Sequence, residues 1–301
     1  MIDHLAEWVE VSGWAETDDP IACVRGALQP GDRDGAIRVG ISDHTRAVFL
    51  LRLQEALPQA RFSPASDVLA PMRMVKDHEE IRILKEAQDM AARALDKLRE
   101  VDFAGRSERQ IAVVLKHICD DLGYGEGYGA AVGSGPNGAL PHLAPTERVI
   151  RRGDPVVVDF WATYNGYYSD CTRTLHVGPP SDEFRGVFET VRRANQAALA
   201  AVHPGVTCKS IDRAARQVIS AAGYGERFTH RVGHGIGIDI HEEPWMVEGN
   251  DLILEMGMTF TDEPGIYLPG KFGCRIEDVV AVTETGGSAL TEYTYEIIEV
   301  A

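Results

Sequence analysis

Across residues 76–100 the apolar side chains Ile81, Leu84, Ala87, Ala91, Leu95 and Leu98 recur at intervals of three or four, and charged residues fill most of the remaining positions. That period predicts an amphipathic helix packed on a core. Ser107 with Gln110 three residues on is the pattern of a capping box, and Ile111, Val114, Leu115 and Ile118 carry the apolar face of a second helix. Helices are also predicted over 181–202 and 208–222, with Pro204-Gly205 between them. Before residue 73 the pattern is weaker. Residues 36–41 read as a short strand, 44–57 as a helix closed by Pro58, and 60–72 as a proline-containing loop. So small a βα fragment has few partners of its own, which predicts an incomplete α/β domain over 1–72 and a main domain over 73–301.

At 156–170 the period changes from helical to two. Asn165-Gly166 is a strong two-residue hairpin signal. If Tyr164 pairs with Tyr167, Asp159 lies opposite Thr172, and Asp170 shares the face of Asp159 as its diagonal neighbour. Three valines precede Asp159, so this face is expected to be buried. Two carboxylates there repel each other and are costly to desolvate, and a metal ion is the simplest way to neutralise them. Further along, 259–263 and 274–282 read as two more strands joined by a turn-rich loop around Gly270, which would put Glu263 and Glu277 on one face.

Gly123-Tyr124-Gly125-Glu126 returns 100 residues later as Gly223-Tyr224-Gly225-Glu226, and Val132, Gly133 and Gly135 return as Val232, Gly233 and Gly235. Each copy follows a predicted helix and precedes an acid placed six residues after a glycine, Gly153 to Asp159 and Gly257 to Glu263. The repeat predicts two related α/β halves with a site between them. His230, His234 and His241 lie in a glycine-rich stretch that would border the four acids. Four carboxylates and an imidazole form a hard donor set suited to Mn²⁺, with Co²⁺ or Zn²⁺ as alternatives. Two such ions about 3.5–4 Å apart could share the acids and hold a bridging water as hydroxide, so hydrolysis of a polarised carbonyl is the expected reaction class. The spare histidines would bind the oxyanion or move protons.

Composition narrows the partners. The 301 residues carry 46 acidic against 30 basic side chains, a net charge of −16, which disfavours nucleic acid. No apolar run is long enough for a membrane span, and residues 1–7 lack the basic and apolar regions of a secretory signal. The five cysteines are scattered, with no C-x-x-C pair, as expected for free thiols in the cytoplasm.

The motifs Asp159 with Asp170-Cys171-Thr172-Arg173-Thr174, Gly233-His234-Gly235-Ile236-Gly237, His241-Glu242-Glu243-Pro244, Glu263-Pro264-Gly265-Ile266-Tyr267 and Arg275-Ile276-Glu277-Asp278 closely resemble the creatinase/prolidase/methionine aminopeptidase family. The resemblance spans about 75–301 in full and 30–72 more weakly, and is nearest to Xaa-Pro dipeptidases and Xaa-Pro aminopeptidases. It implies the α+β pita-bread fold, two pseudo-symmetric halves around a dinuclear metal site, preceded by a truncated N-terminal α/β domain. It implies metal ligation by Asp159, Asp170, His234, Glu263 and Glu277, with Glu263 also shuttling the proton of the attacking water. By the same resemblance His142 assists the leaving proline nitrogen or the substrate amine, His241 contacts the scissile carbonyl, His230 lines the proline-side pocket, and Arg275 supports the ligands or touches substrate. The substrate would be a peptide with proline second, and the chain a homodimer. Trp245 stands near where some dipeptidases of the family carry a basic residue that reads the substrate carboxylate, which weakens the expectation of strict dipeptide specificity. A creatinase-like hydrolase and a non-catalytic interaction protein are the alternatives on this fold, and the intact ligand set argues against both.

Two motifs are decoys. Gly133-Ser134-Gly135-Pro136-Asn137-Gly138 matches a dinucleotide fingerprint, but Pro141 and Pro145 follow where a helix would have to open. His241-Glu242 lacks the second histidine of a zincin helix, because position 245 is Trp. Cys171 and Cys274, at odd offsets from Asp170 and Glu277, are expected on the opposite strand faces as core thiols.

Overall fold

A computed structural model of the chain describes residues 10–28 and 36–301; residues 1–7, read above as lacking a secretory signal, lie outside them. The chain divides into two compact units, Met1–Met72 and Arg73–Ala301.

The first unit contains α1 (Pro20–Ala27), β1 (Arg38–Ile41), α2 (Ala47–Ala56) and β2 (Arg61–Pro64), and α3 (Ser66–Met74) begins in it. The side chain of Asp19 accepts the Ile21 N–H at the start of α1. β1 and β2 are parallel, from Arg38 opposite Arg61 to Ile41 opposite Pro64. The expected loop over 60–72 is therefore a strand and a helix. Two prolines concealed them. Pro64 only closes its strand, after which the Ala65 N–H bonds to the Ile41 carbonyl at 2.8 Å, and α3 continues through Pro71.

The second unit opens with α4 (His78–Leu98), capped reciprocally by Asp77 and Glu80, whose predicted face buries Leu84, Ala87, Ala91, Leu95 and Leu98. α5 (Glu108–Leu122) begins with the expected Ser107–Gln110 box and ends on Gly123 at φ 86°. β3 (Gly129–Ser134), β4 (Pro155–Tyr164) and β5 (Tyr167–Val177) follow. The hairpin of β4 and β5 has the predicted register, Tyr164 opposite Tyr167 and Asp159 opposite Thr172. Its turn residues Asn165 and Gly166 sit at φ 48° and 85°, both in the left-handed region that this turn demands.

After α6 (Asp182–Ala201) and α7 (Cys208–Ala221) come β6 (Gly233–Gly235), β7 (Glu242–Met246), β8 (Thr259–Asp262), β9 (Gly265–Leu268), β10 (Phe272–Arg275), β11 (Asp278–Thr283), β12 (Gly286–Ala289) and β13 (Ile298–Val300). One sheet has the order β13-β5-β4-β3, a second β12-β11-β8-β6-β7, and β9 and β10 form a separate hairpin. Leu95, Ile111, Leu115, Val158, Phe160 and Leu175 pack under the first sheet. Val187, Val191, Ile211, Ile219, Phe260 and Val280 pack under the second. Each of these is fully or almost fully buried, a contribution of about 1.5–3 kcal/mol per large side chain relative to exposure.

The 100-residue repeat is architectural. Gly123 and Gly223 share φ 86°. The Tyr124 N–H bonds to Cys119 O at 3.1 Å and the Tyr224 N–H to Ile219 O at 3.0 Å, so the two helices end alike. They also begin alike, since the Glu108 N–H bonds to Arg148 O at 3.1 Å and the Cys208 N–H to Leu252 O at 2.9 Å.

The strand read over 274–282 is instead two, β10 and β11, broken at Ile276 and Glu277. Gly270, at φ 75°, lies in the β9–β10 turn, while β11 pairs with β8 so that Asp278 faces Asp262. Cys274 is buried as expected, but the offset argument for it fails because no continuous strand links it to Glu277.

Candidate metal centre

The two halves are stitched together where β5 meets the break before β11. Thr172 and Glu277 form an antiparallel bridge, with the Glu277 N–H bonding to Thr172 O at 3.1 Å. Arg173, 2% exposed, locks this crossing by donating to the carbonyls of Thr172 (2.9 Å), Glu277 (2.6 Å) and Thr294 (3.1 Å) and to Asp278 Oδ1 (2.7 Å). Asp159 and Asp170 approach from β4 and β5. Glu263 and Glu277 stand one residue beyond the outermost β8–β11 pair, Asp262–Asp278. His234 comes from β6, which lies close against β8; a Cβ on Gly233 would fall 1.7 Å from Thr261 O, so only glycine fits there.

These side chains converge on one cavity of about 590 Å³, lined by Asp159, Asp170, His234, Glu263 and Glu277 and also by His142, His230, His241 and Arg275. All nine residues singled out from the sequence are thus brought together. Donor atoms of Asp170, His234 and Glu277 lie within 4.8 Å of one another. His234 Nε2 is 3.4 Å from Glu263 Oε1 and 3.7 Å from Asp170 Oδ2. Its Nδ1 faces Gly235 O at 3.0 Å, which leaves Nε2 turned to the acids.

The electrostatics fit a cation. Burial, then the charges of Glu277, Asp159 and Glu263, push the Asp170 carboxyl well above its ordinary range, opposed by Arg275. Burial together with Glu263 and Asp159 does the same to Glu277. Glu263 is pushed up to about 7, chiefly by burial. His234 is pushed down to about 3 by burial and by His241, whose ring centroid is 4.1 Å away, so its imidazole is neutral at pH 7. Buried acids that cannot all ionise together, beside a neutral imidazole, suit a divalent metal.

A hydrogen-bonded chain supports the acids. Arg275 donates from Nη2 to Asp159 Oδ2 (2.6 Å), from Nη1 to the Tyr267 hydroxyl (2.8 Å) and from Nε to Thr172 Oγ1 (3.1 Å). Thr172 Oγ1 in turn donates to Glu277 Oε2 at 2.5 Å. The Tyr267 hydroxyl is 2.8 Å from His230 Nε2, and burial and Arg275 lower the His230 pKa to about 3. His142 and His241 are more exposed, and the His142 ring lies 6.4 Å from that of His230.

Sequence reasoning missed Thr172, Arg173, Tyr267 and Arg231 as parts of the site. Thr172 was legible in principle, because the hairpin register puts it opposite Asp159. Both decoys are structurally inert: the Gly133–Gly138 run enters a 3₁₀ turn (Gly135–Ala139) rather than an α-helix, and Glu242 begins a strand.

Two matched α/β halves closing on a cavity of acids and histidines make a metallohydrolase centre, and comparison with known proteins gives the family. Residues 82–284 match metallopeptidase family M24, and the chain belongs to that family. It is 41% identical to the probable dipeptidase PepE of Mycobacterium tuberculosis over 97% of this chain and 77% of that one. A prolidase from Thermococcus sibiricus superposes with a TM-score of 0.94 at 38% identity, over 99% of this chain and 82% of that one. An X-Pro aminopeptidase from Thermotoga maritima superposes with a TM-score of 0.83 at 37% identity, over 95% and 81%. The protein is therefore a metallopeptidase with the pita-bread fold. No helix among the described residues is long and apolar enough to cross a membrane.

Proposed function

We propose that the protein hydrolyses the bond between an amino-terminal residue and a following proline, with Asp159, Asp170, His234, Glu263 and Glu277 holding two divalent ions, Mn²⁺ by preference. The observation that carries this is the convergence of the Asp170, His234 and Glu277 donor atoms within 4.8 Å, with Asp159 and Glu263 on the same cavity wall. Ions held there would supply Lewis acidity and a water activated at neutral pH.

The chain's own residues do the rest. Glu263, on the same cavity wall, would take a proton from the attacking water and return it to the leaving nitrogen. His241, whose pKa is lowered chiefly by burial, is neutral and donates a ring N–H to the scissile carbonyl oxygen. His142, also on the cavity wall, would assist the substrate amine or the departing proline nitrogen. His230, fixed by Tyr267, lines the side that receives the proline ring. Arg275 holds Asp159 in place. We place the enzyme in a reducing cytoplasm, consistent with its five free thiols, and as a homodimer, with residues 1–72 as a creatinase-like α/β domain.

The test is turnover by Mn²⁺-loaded protein of Ala-Pro and Ala-Pro-Ala, with Ala-Ala as control. Cleavage of a proline-containing peptide with Ala-Ala left intact is expected. Cleavage of Ala-Ala at a comparable rate, or of none of the three, would overturn the proposal.

A further inference from the structure

Two guanidinium groups line the cavity, Arg231 and Arg275. Each nitrogen of Arg275 already has a partner within the protein. Arg231 differs. Among the described residues it forms no ion pair, and its Nε is buried without a hydrogen bond. Its guanidinium lies over the Trp245 ring, 4.6 Å from the centroid. Nearby cations are committed elsewhere: Arg216 to Asp212, and Lys76 and Arg73 to Glu242. Trp245 is the cross-strand partner of His234, so the stacked pair sits beside the metal-ligand cluster. A half-buried guanidinium with no ion pair, on the wall of a substrate cavity, is available to an anionic group of the substrate.

The Xaa-Pro reading, on which this inference rests, supplies such an anion. One residue, about 3.5 Å of chain, separates the scissile carbonyl of a dipeptide from its terminal carboxylate. With the carbonyl at the acids, that carboxylate lies within the same cavity, whose wall includes Arg231. We propose that Arg231, held over the Trp245 ring, binds the C-terminal carboxylate of a dipeptide and makes the site selective for dipeptides over longer or amidated peptides. The planar guanidinium offers parallel N–H groups to a carboxylate, and its contact with the indole face leaves those donors unoccupied. Trp245 thus orients a cation supplied from the neighbouring segment, which removes the objection that a tryptophan at 245 weakens dipeptide specificity.

The experiment compares kcat/KM for Ala-Pro and for its amide, Ala-Pro-NH2, in Mn²⁺-loaded wild type, Arg231→Ala, Arg231→Lys and Trp245→Ala, with bound metal and circular dichroism checked for each. Wild type should prefer the free acid. Arg231→Ala should lower the acid-to-amide ratio on the order of 100-fold, mostly through KM for Ala-Pro, as for loss of a charge-assisted contact. Arg231→Lys, which keeps the charge and most of the bulk, should lower it less, and Trp245→Ala should lower it in the same direction. An unchanged ratio in a metal-loaded Arg231 variant, or a wild type with no preference between acid and amide, would overturn the role of Arg231 while leaving Xaa-Pro hydrolysis standing. A wild type that cleaves neither compound would overturn both.

Discussion

Asp159 and Glu277 reach the cavity from different halves of the chain, and both are tied to Arg275, Asp159 directly and Glu277 through Thr172. Neither acid has a spare partner if its charge is removed. Asp159→Asn and Glu277→Gln should each lower kcat by more than about 100-fold, a loss that even supporting residues of metal sites can produce, and should reduce bound Mn²⁺ per chain by elemental analysis. Wild-type turnover and stoichiometry in either variant would contradict the ligand assignment. The raised acids also set a pH dependence. Below pH 7 Glu263 holds a proton that an incoming ion must displace, and Asp170 and Glu277 are raised in the same sense. His234, pushed down to about 3, adds no such competition above pH 5. Metal binding therefore releases protons, and the apparent Mn²⁺ affinity should weaken at least about tenfold as pH falls from 7 to 6. Calorimetry in buffers of different ionisation enthalpy would detect the released protons, and an affinity independent of pH would count against these shifts.

Among the elements, the β8–β11 ladder carries an evident cost. The Asp262 carboxyl is 1% exposed, neither oxygen has a hydrogen bond, and it faces Asp278 across the ladder. Burial and Asp278 hold its pKa well above 3.8. The folded state thus keeps a proton that the unfolded chain gives up above about pH 4, so this group's drag on stability grows as pH rises from there. Asp262→Val should stabilise the protein by about 1–3 kcal/mol in urea unfolding, with a larger gain at pH 7 than at pH 4. A loss of stability, or a gain independent of pH, would count against this account. The elements also show what the sequence can reveal. Helices with a regular apolar period and local caps, such as α4 and α5, and a hairpin turned by Asn-Gly are written in neighbouring residues, so their register could be derived. The split of 274–282 could not, because Glu277 leaves one ladder to bridge Thr172, 105 positions earlier in the chain. The stacking of Arg231 on Trp245 was equally hidden, since it depends on a β6–β7 pairing that shifts register between His234 and Gly235.

For the molecule as a whole, the repeat was the most informative long-range signal, since helices that begin and end alike place two acid-bearing segments at equivalent positions. Which acids meet was legible from the hairpin parity in the first half; in the second, the single hairpin expected around Gly270 is replaced by the β9–β10 and β8–β11 pairings, and only the family resemblance gave the acids their role. All the proposed metal ligands belong to the unit Arg73–Ala301. Metal should therefore stabilise that unit by about 4 kcal/mol at a free concentration a thousand times Kd. Hydrogen exchange should show added protection across β4, β5, β8 and β11 on metal loading, and none in β1 and β2. Equal protection of both units would contradict confinement of the centre to one of them. The most direct test of that centre is an anomalous difference map from crystals grown with Mn²⁺. Two peaks about 3.5–4 Å apart, flanked by Asp159, Asp170, His234, Glu263 and Glu277, are expected; a single peak, or peaks away from these five side chains, would contradict a dinuclear site built from them.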